Sequence, residues 1–208
     1  MSAKELIRQG TALFSKKGPV DSLWQEIALN FYPERADFTD RRHEGEEYAD
    51  HLFASYPTAA RRELGNMFSA SLRPESHPWF SIHVDDDELD KGHAERSFME
   101  FLTTIQRRAM YDRPAMFVKA TKESDHDYAA FGNCVLHVGP NTNLNGLLYR
   151  NYHLRDCAWS ENAQGEVDVM HRIWEPTARQ LVELFPRAEL HRDIVQCAKK
   201  DPEKKVKC

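Results

Sequence analysis

The sequence predicts an α+β fold, in which a mostly helical N-terminal half is followed by a small antiparallel β meander and by C-terminal helices. In the first half, apolar residues recur every three to four positions between prolines, which is typical of amphipathic helices. From Cys134 onward, apolar and polar residues alternate over short runs that are separated by turn clusters, as in antiparallel strands. Beyond Pro176 the helical spacing returns, which indicates a return to helices.

Prolines and glycines set the first boundaries. A helix is predicted from the N-terminus to the Gly18-Pro19 pair, which should stop it. The next helix begins at Asp21, a residue type favoured at helix N-termini. It ends before Pro33, because the residue before a proline is pushed out of the α region. Residues 34–47 then form a polar loop.

Three helices and one strand complete the helical half. Pro57 suits the first turn of a helix, whose apolar stripe extends to Leu72. Apolar and polar residues alternate over residues 80–84, which predicts a half-buried strand. Apolar stripes predict two further helices over residues 98–109 and 114–128.

Turn residues divide the second half into short strands. Gly132 is predicted to end the preceding helix in the left-handed conformation, and Gly165 to permit a hairpin turn. Pro176 begins a helix, and a weaker helix is predicted over residues 188–198. The predicted strands are residues 134–138, 147–154, 157–160 and 167–173.

Composition limits the class of protein. The chain has 208 residues and a formal net charge of −5, which fits one domain or one domain with an appended arm. No apolar run approaches the roughly 20 residues of a membrane span, and the N-terminus lacks a signal peptide's apolar stretch. We therefore expect no membrane partner and a cytosolic origin. The cysteines lack the close spacing of a zinc site and are predicted to be reduced thiols; they are Cys134, Cys157, Cys197 and Cys208.

Three sets of polar residues could bind a metal ion or take part in catalysis, and each has a simpler structural interpretation. The acidic run 85–88 lacks the glycine and the closing glutamate of a calcium loop. The run 124–127 combines serine, histidine and aspartates, but its members point to different sides of one helix, which favours a solvated face. Asp156, Glu166 and Asp168 could hold a metal in a nuclease, although exposed acids on a hairpin explain them better. The sequence thus predicts no catalytic, metal-binding or cofactor-binding residues.

A series of short motifs is the most distinctive feature, because their order and spacing are more specific than any one motif. In chain order they are WQEIALNFYPERADF (24–38), HPWF (77–80), FGNCVL (131–136), GEVD (165–168) and RIWEPTARQL (172–181). The series resembles the head-to-tail connector, or portal, proteins of short-tailed double-stranded DNA bacteriophages, over residues 20–186. The signature residues on which the resemblance depends are Trp24, Pro33, Arg35, Pro78, Trp79, Phe80, Gly132, Asn133, Gly165, Arg172, Thr177, Arg179 and Gln180.

The resemblance implies an organisation and a role. It implies a wing-like α+β portal domain over residues 1–186, followed by a helix and charged tail over residues 187–208 that lead into a missing C-terminal region. It also implies a structural, non-enzymatic subunit without a cofactor, in a homo-oligomeric ring, commonly a dodecamer, at one capsid vertex. A terminase packages DNA through such a ring, the tail and capsid proteins bind it, and the DNA is ejected through it. Arg179 and Gln180 could reach a neighbouring subunit.

Further expectations follow from this resemblance. The protein would assemble in the host bacterial cytoplasm and reside in the virion at the portal vertex. The alternating Val206 and Cys208 suit the opening of another strand, so we expect the chain to continue beyond Cys208. We expect the isolated chain to be monomeric or weakly associated, and its contact with double-stranded DNA to be weak and non-specific. The alternative function is a metal-dependent phage nuclease that uses Asp156, Glu166 and Asp168.

Overall fold

The computed structural model describes residues 2–40, 42–43, 45–47, 49–50, 52–84, 92–186 and 188–208. The predicted α+β class is confirmed, with six helices and two small antiparallel sheets within these residues. In chain order the elements are α1 (Ala3–Phe31), α2 (Tyr56–Leu72), α3 (His93–Tyr111), α4 (Phe117–Phe131), β1 (Val135–Pro140), β2 (Leu147–Tyr152), β3 (Cys157–Glu161), β4 (Val167–Arg172), α5 (Ala178–Leu184) and α6 (Arg192–Lys200).

The chain divides into two compact units. The terminal unit comprises Met1–Lys17 and Asp156–Cys208, and the central unit comprises Gly18–Arg155. The terminal unit contains the start of α1, the β3–β4 hairpin, α5 and α6, whereas α2, α3, α4 and the β1–β2 hairpin belong to the central unit. The domain boundary after residue 186, which the resemblance implies, stays a prediction.

Helix α1 continues through the point where the sequence predicts a stop. The prediction of a break at Gly18-Pro19 is wrong, and Asp21 lies inside the helix instead of capping a new one. In the α region the ring of a proline clashes with the backbone N–H and the Cβ of the preceding residue. Gly18 has no Cβ, which removes one of these clashes, and the helix continues through Pro19 with the loss of one backbone hydrogen bond. Pro33 does terminate the helical path, because α1 ends at Phe31.

The prediction of a strand over residues 80–84 is wrong. No neighbouring strand pairs with this segment in the described structure. The backbone N–H of Ile82 instead donates to the Thr103 hydroxyl of α3 at 3.0 Å. The apolar and polar residues of this segment alternate because one of its sides lies against a helix, although it has no partner strand.

In place of the predicted meander, the structure contains two separate hairpins within the described residues. Strand β1 pairs only with β2, in a register that runs from Val135↔Tyr152 to Pro140↔Leu147. Strand β3 pairs with β4, with a register shift between Ser160 and Glu161. The predicted glycine conformations are confirmed, since φ is 68° at Gly132 and 81° at Gly165.

Aromatic side chains dominate the core of the central unit. Phe117 packs edge-on against Tyr111 and Tyr149, with ring centroids 5.1 and 5.0 Å apart, and stacks on Trp79 at 6.3 Å. A second cluster joins α1, the following loop and the end of α4 through Trp24, Phe38 and Phe131. Phe38 therefore anchors its loop, and its side chain is only 8% exposed. Among the described helices, none is both long and apolar enough to cross a membrane.

Candidate functional site

A buried carboxylate on α4 is the centre of a polar network in the central unit. Asp127 is only 1% exposed. The Arg35 Nε and Nη2 atoms donate to its two oxygens at 3.1 and 3.2 Å, and Asn151 Nδ2 donates to one of them at 2.6 Å. Asp127 therefore connects the turn after α1, helix α4 and strand β2. Bidentate arginine pairing of this kind fixes geometry as well as contributing free energy.

Residues 124–127 form part of this network, so their interpretation as a solvated face is wrong. The Ser124 hydroxyl donates to the side-chain Oδ1 atom of Asn151 at 3.1 Å, and Asp125 pairs with Arg73 beyond the end of α2. Helix α4 packs against α2 and also against β1 and β2, so more than one of its sides is covered. The sequence did carry a signal of this burial, because a helical stripe from Ala120 to Phe131 passes through Ser124 and Asp127.

The electrostatics of Asp127 suit a structural role. Burial raises the pKa of this carboxyl group above its usual value, and the charge of Arg35 and the hydrogen bond from Asn151 oppose that rise. A buried charge persists only when it is paired and hydrogen-bonded. Because both oxygens already accept hydrogen bonds, the carboxylate positions three chain segments.

A second ionic group joins the loop after α1 to the end of β2. The Nε2 atom of His153 lies 2.8 Å from Asp37 Oδ1, and Arg155 pairs with the other oxygen of the same carboxylate. Burial alone would raise the pKa of Asp37, but the hydrogen bond and charge of His153, together with the charge of Arg155, bring it below its usual value. This group ties the loop to the segment that follows the β1–β2 hairpin.

A buried arginine caps the C-terminal end of α1. Arg61 of α2 is 6% exposed, and its guanidinium carbon lies 3.8 Å from the centroid of the Tyr32 ring. Its Nε donates to the Phe31 carbonyl at 3.3 Å. A cation at a helix C-terminus interacts favourably with the helix dipole, and a cation over an aromatic face gains further attraction. Sequence reasoning missed this arginine, because only the folded chain brings α2 to the end of α1.

Gly65 permits the close approach of α2 and α4, so replacing it with alanine should destabilise the protein. A Cβ at this position would lie 2.7 Å from Cε1 of His126 and closer still to Nδ1. We expect Gly65→Ala to cost about 1–3 kcal/mol through overpacking, although alanine normally stabilises a helix by about 1 kcal/mol relative to glycine. Urea denaturation measures the change. In a His126→Ala background the same substitution should become neutral or stabilising, and stabilisation in the wild-type background would contradict the prediction.

The same histidine should make stability depend on pH. Burial, and then the charge of Arg61, lower the pKa of His126 below its usual value. The unfolded chain therefore takes up a proton at higher pH than the folded chain does, so the free energy of unfolding should fall as pH drops below about 6.5. The raised pKa of Asp127 and the lowered pKa of Asp37 affect the free energy of unfolding only at lower pH, where carboxyl groups titrate.

Denaturation at two pH values tests this prediction. We expect the urea midpoint of the wild-type chain to be lower at about pH 5.5 than at about pH 7.5. His126→Asn should reduce this difference, whereas the same substitution at the exposed His93 should leave it unchanged. An undiminished difference in His126→Asn would show that His126 is not responsible.

The signature residues are distributed over both units, some buried, some in turns or helix caps, and some exposed, as Pro78 and Asn133 are. Trp24 packs in the aromatic cluster, Arg35 holds Asp127, and the indole N–H of Trp79 donates to the Tyr111 hydroxyl at 3.1 Å. Their assignment to a connector signature stays a prediction. The central unit contains Trp24, Pro33, Arg35, Pro78, Trp79, Phe80, Gly132 and Asn133, and the terminal unit contains Gly165, Arg172, Thr177, Arg179 and Gln180.

The last signature motif begins α5 with a capping box. The Thr177 hydroxyl accepts from the Gln180 backbone N–H at 3.3 Å, and the Gln180 side chain accepts from the Thr177 N–H at 3.0 Å. Arg179 pairs with Glu203 at 3.1 Å. Thus Arg179 and Gln180 have partners within the terminal unit, and their contact with a neighbouring subunit stays a prediction. The pattern Thr-x-x-Gln is a known sequence signature of a capping box, so the sequence alone predicts this cap.

The end of the chain pairs with the segment before α5. Trp174 and Cys208 exchange two backbone hydrogen bonds of 3.0 and 2.9 Å, and the Val206 N–H donates to the Pro176 carbonyl at 2.8 Å. The extended character predicted for Val206 and Cys208 is therefore present. The cysteines are free thiols, as predicted, and burial raises the pKa of Cys157 to about 11.

The residues of the nuclease alternative do not form one site. The Ile173 N–H donates to the Asp156 carbonyl at 2.8 Å, which places Asp156 level with residue 173. Asp168 is five residues earlier, about 16 Å along the strand at roughly 3.3 Å per residue. Glu166 accepts from the Asn162 side chain at 3.2 Å. No group of three potential metal ligands occurs in the part of the chain that the structure describes, and the acidic run 85–88 lies outside that part.

A comparison with models of protein families matches nearly the whole chain. The family model described as the bacteriophage head to tail connecting protein matches residues 3–208. No curated protein matches the sequence.

Proposed function

Because the chain belongs to the family of bacteriophage head to tail connecting proteins, we propose that it is the subunit of a portal ring at one vertex of the phage capsid. Membership in this family makes it a structural connector and a component of the virion. In our proposal the ring is a homo-oligomer, commonly a dodecamer. A terminase packages double-stranded DNA through it, and capsid and tail proteins bind its outer surfaces.

The match of the family model to residues 3–208 is the observation that carries this proposal. The internal ionic network supports it. Asp127, Asp125 and Asp37 are each paired with an arginine, and these pairs connect elements that are distant in sequence. Such pairs fix one arrangement of the central unit, as a subunit that must fit between identical neighbours requires.

Labelling of phage particles tests the proposal. In particles of a phage that carries this gene, an epitope-tagged chain should be detected by gold-labelled antibody at a single vertex. Deletion of the gene should yield heads without packaged DNA. Label at many vertices, or the absence of the chain from the particle, would contradict the proposal.

Binding to DNA should be weak and independent of sequence. Phosphate contacts come from free cationic side chains, but Arg35, Arg73 and Arg155 are engaged with carboxylates and Arg61 with a backbone carbonyl. A formal net charge of −5 further opposes binding. This would allow the DNA to slide during packaging.

Titration with duplex DNA at about 50 and 200 mM salt checks this expectation, since 6–10 phosphate contacts would cost about 10³–10⁵ in affinity over that range. We expect no submicromolar binding at the higher salt concentration. Tight binding there, or preference for one sequence, would contradict a sliding conduit.

A further inference from the structure

Helix α3 carries a bulky apolar face that points away from the central unit. Phe98, Phe101 and Ile105 follow one another at i, i+3 and i+7, so they share one side of the helix. They are 54%, 58% and 46% exposed. The opposite side of α3 packs on the unit through Met110, which lies in the core, and Thr103, which binds the Ile82 N–H.

The size of this α3 face is comparable with that of apolar patches that are often interaction sites. Large apolar side chains bury about 150–250 Å² each, so the exposed halves of these three together present on the order of 300 Å². Apolar patches of about 300–600 Å² on soluble proteins are often interaction sites. The spacing is one at which a helix packs along another helix, so a helical partner surface would fit this face.

Helix α2 exposes a flatter face that matches the bulky one. Ala60, Leu64 and Met67 lie at i, i+4 and i+7, and Ser71 continues the same line; all four are exposed. The other side of α2 packs on α4 through the buried Gly65. Alanine and serine leave depressions between the larger Leu64 and Met67, into which aromatic side chains of another helix can pack.

The two faces also carry opposite charges. Glu63 lies on the α2 face, between Ala60 and Met67, and Arg108 continues the α3 face one turn after Ile105. Both side chains belong to exposed residues, and neither forms an ion pair with another residue of the described ranges. Packing of the two faces would bring an unpaired carboxylate and an unpaired guanidinium to the same contact.

We propose that the α3 face of one copy of this chain docks on the α2 face of a second copy, with Arg108 of the first opposite Glu63 of the second. Because the two faces differ, the contact is head-to-tail, and repetition of such a contact forms a ring when the rotation from one copy to the next closes. The inference rests on the proposed ring. Pairing of α3 with another α3 would set bulky residues against bulky residues and leave Glu63 unused.

The area predicts the strength of the contact. A stable interface buries about 800 Å² per partner, more than the α3 face offers. The contact by itself is therefore weak, and the full 208-residue chain should associate reversibly as its concentration rises. This agrees with the expectation that the isolated chain is monomeric or weakly associated.

Sedimentation equilibrium of the full chain tests the apolar part of the proposal. Phe98→Ser combined with Phe101→Ser should weaken self-association about tenfold or more. Phe53→Ser is the matched control, because Phe53 is 105% exposed and lies outside both faces, and it should leave association unchanged. Unaltered thermal unfolding of each variant establishes that the fold is retained. Equal weakening by the control, or none by the double substitution, would overturn the proposal.

Charge reversal tests the pairing of the two faces. Glu63→Arg alone and Arg108→Glu alone should each weaken association several-fold, and the variant with both reversals should recover wild-type association. A double variant no better than the single ones, or a wild-type chain that stays monomeric at every concentration, would overturn the docking of α3 on α2. Neither result would affect the proposed function, which the labelling of phage particles tests separately.

Discussion

Replacing Asp127 with alanine should lower the free energy of unfolding by about 3 kcal/mol, one of the largest single-residue effects in the chain. Removing one partner of a buried ion pair typically costs about 3–5 kcal/mol, because the remaining charge is left uncompensated. The lower end of that range applies here, since the Arg35 side chain retains 21% exposure and can be partly solvated. The substitution also leaves the Asn151 side-chain amide without its 2.6 Å acceptor.

Urea denaturation followed by circular dichroism measures this effect. The matched control is Glu123→Ala on the same helix, where Glu123 forms an exposed pair with Lys119 at 4.0 Å. Exposed pairs four residues apart contribute about 0.3–0.5 kcal/mol, so the control should change stability little. Asp127→Asn, which keeps the shape and loses the charge, should fall between the two. A loss below 1 kcal/mol in Asp127→Ala would refute the structural importance of this network.

Replacing Trp24 with alanine should cost about 3–5 kcal/mol. Trp24 is 5% exposed, and its ring lies 5.6 Å from that of Phe38 and 6.1 Å from that of Phe131. Truncation of a buried tryptophan removes its apolar burial and leaves a cavity that the surroundings fill only in part. Because Phe38 anchors the loop after α1, we expect the loop to lose its attachment as well.

Thermal and chemical unfolding of Trp24→Ala provides the measurement, and protease sensitivity of the loop after Phe38 provides a second readout. Phe53→Ala is the control, since this aromatic ring is fully exposed and should change stability by less than about 0.5 kcal/mol. Equal losses in both variants would mean that burial of Trp24 does not stabilise the central unit.

Local chemistry explains which elements were predictable. The apolar spacing located α2, α3 and α4, and the conformational freedom of Gly132 and Gly165 located two chain reversals. The same local rules failed at Pro19, where the neighbouring Gly18 removes one of the clashes by which a proline disfavours a helix.

Tertiary contacts explain what was missed. The aspartates of α4 were predicted to face solvent because no residue near them in the sequence identifies Arg35 or Asn151 as their partners. Conversely, the stripe of Phe98, Phe101 and Ile105 predicted a helix but could not tell that the same chain leaves it uncovered. Periodicity identifies the apolar side of an element, and only the folded chain shows what covers that side.

The ion pair of Arg35 and Asp127 also constrains the order of events on the ribosome. Its partners are 92 residues apart in the chain. At translation rates of about 5–20 residues per second, Arg35 is synthesised on the order of 5–20 s before Asp127. During that interval helix α1 can form, but the guanidinium that follows it must remain hydrated. The central unit therefore completes its interior after synthesis has passed Asn151, the last in sequence of the two side chains that donate hydrogen bonds to this carboxylate.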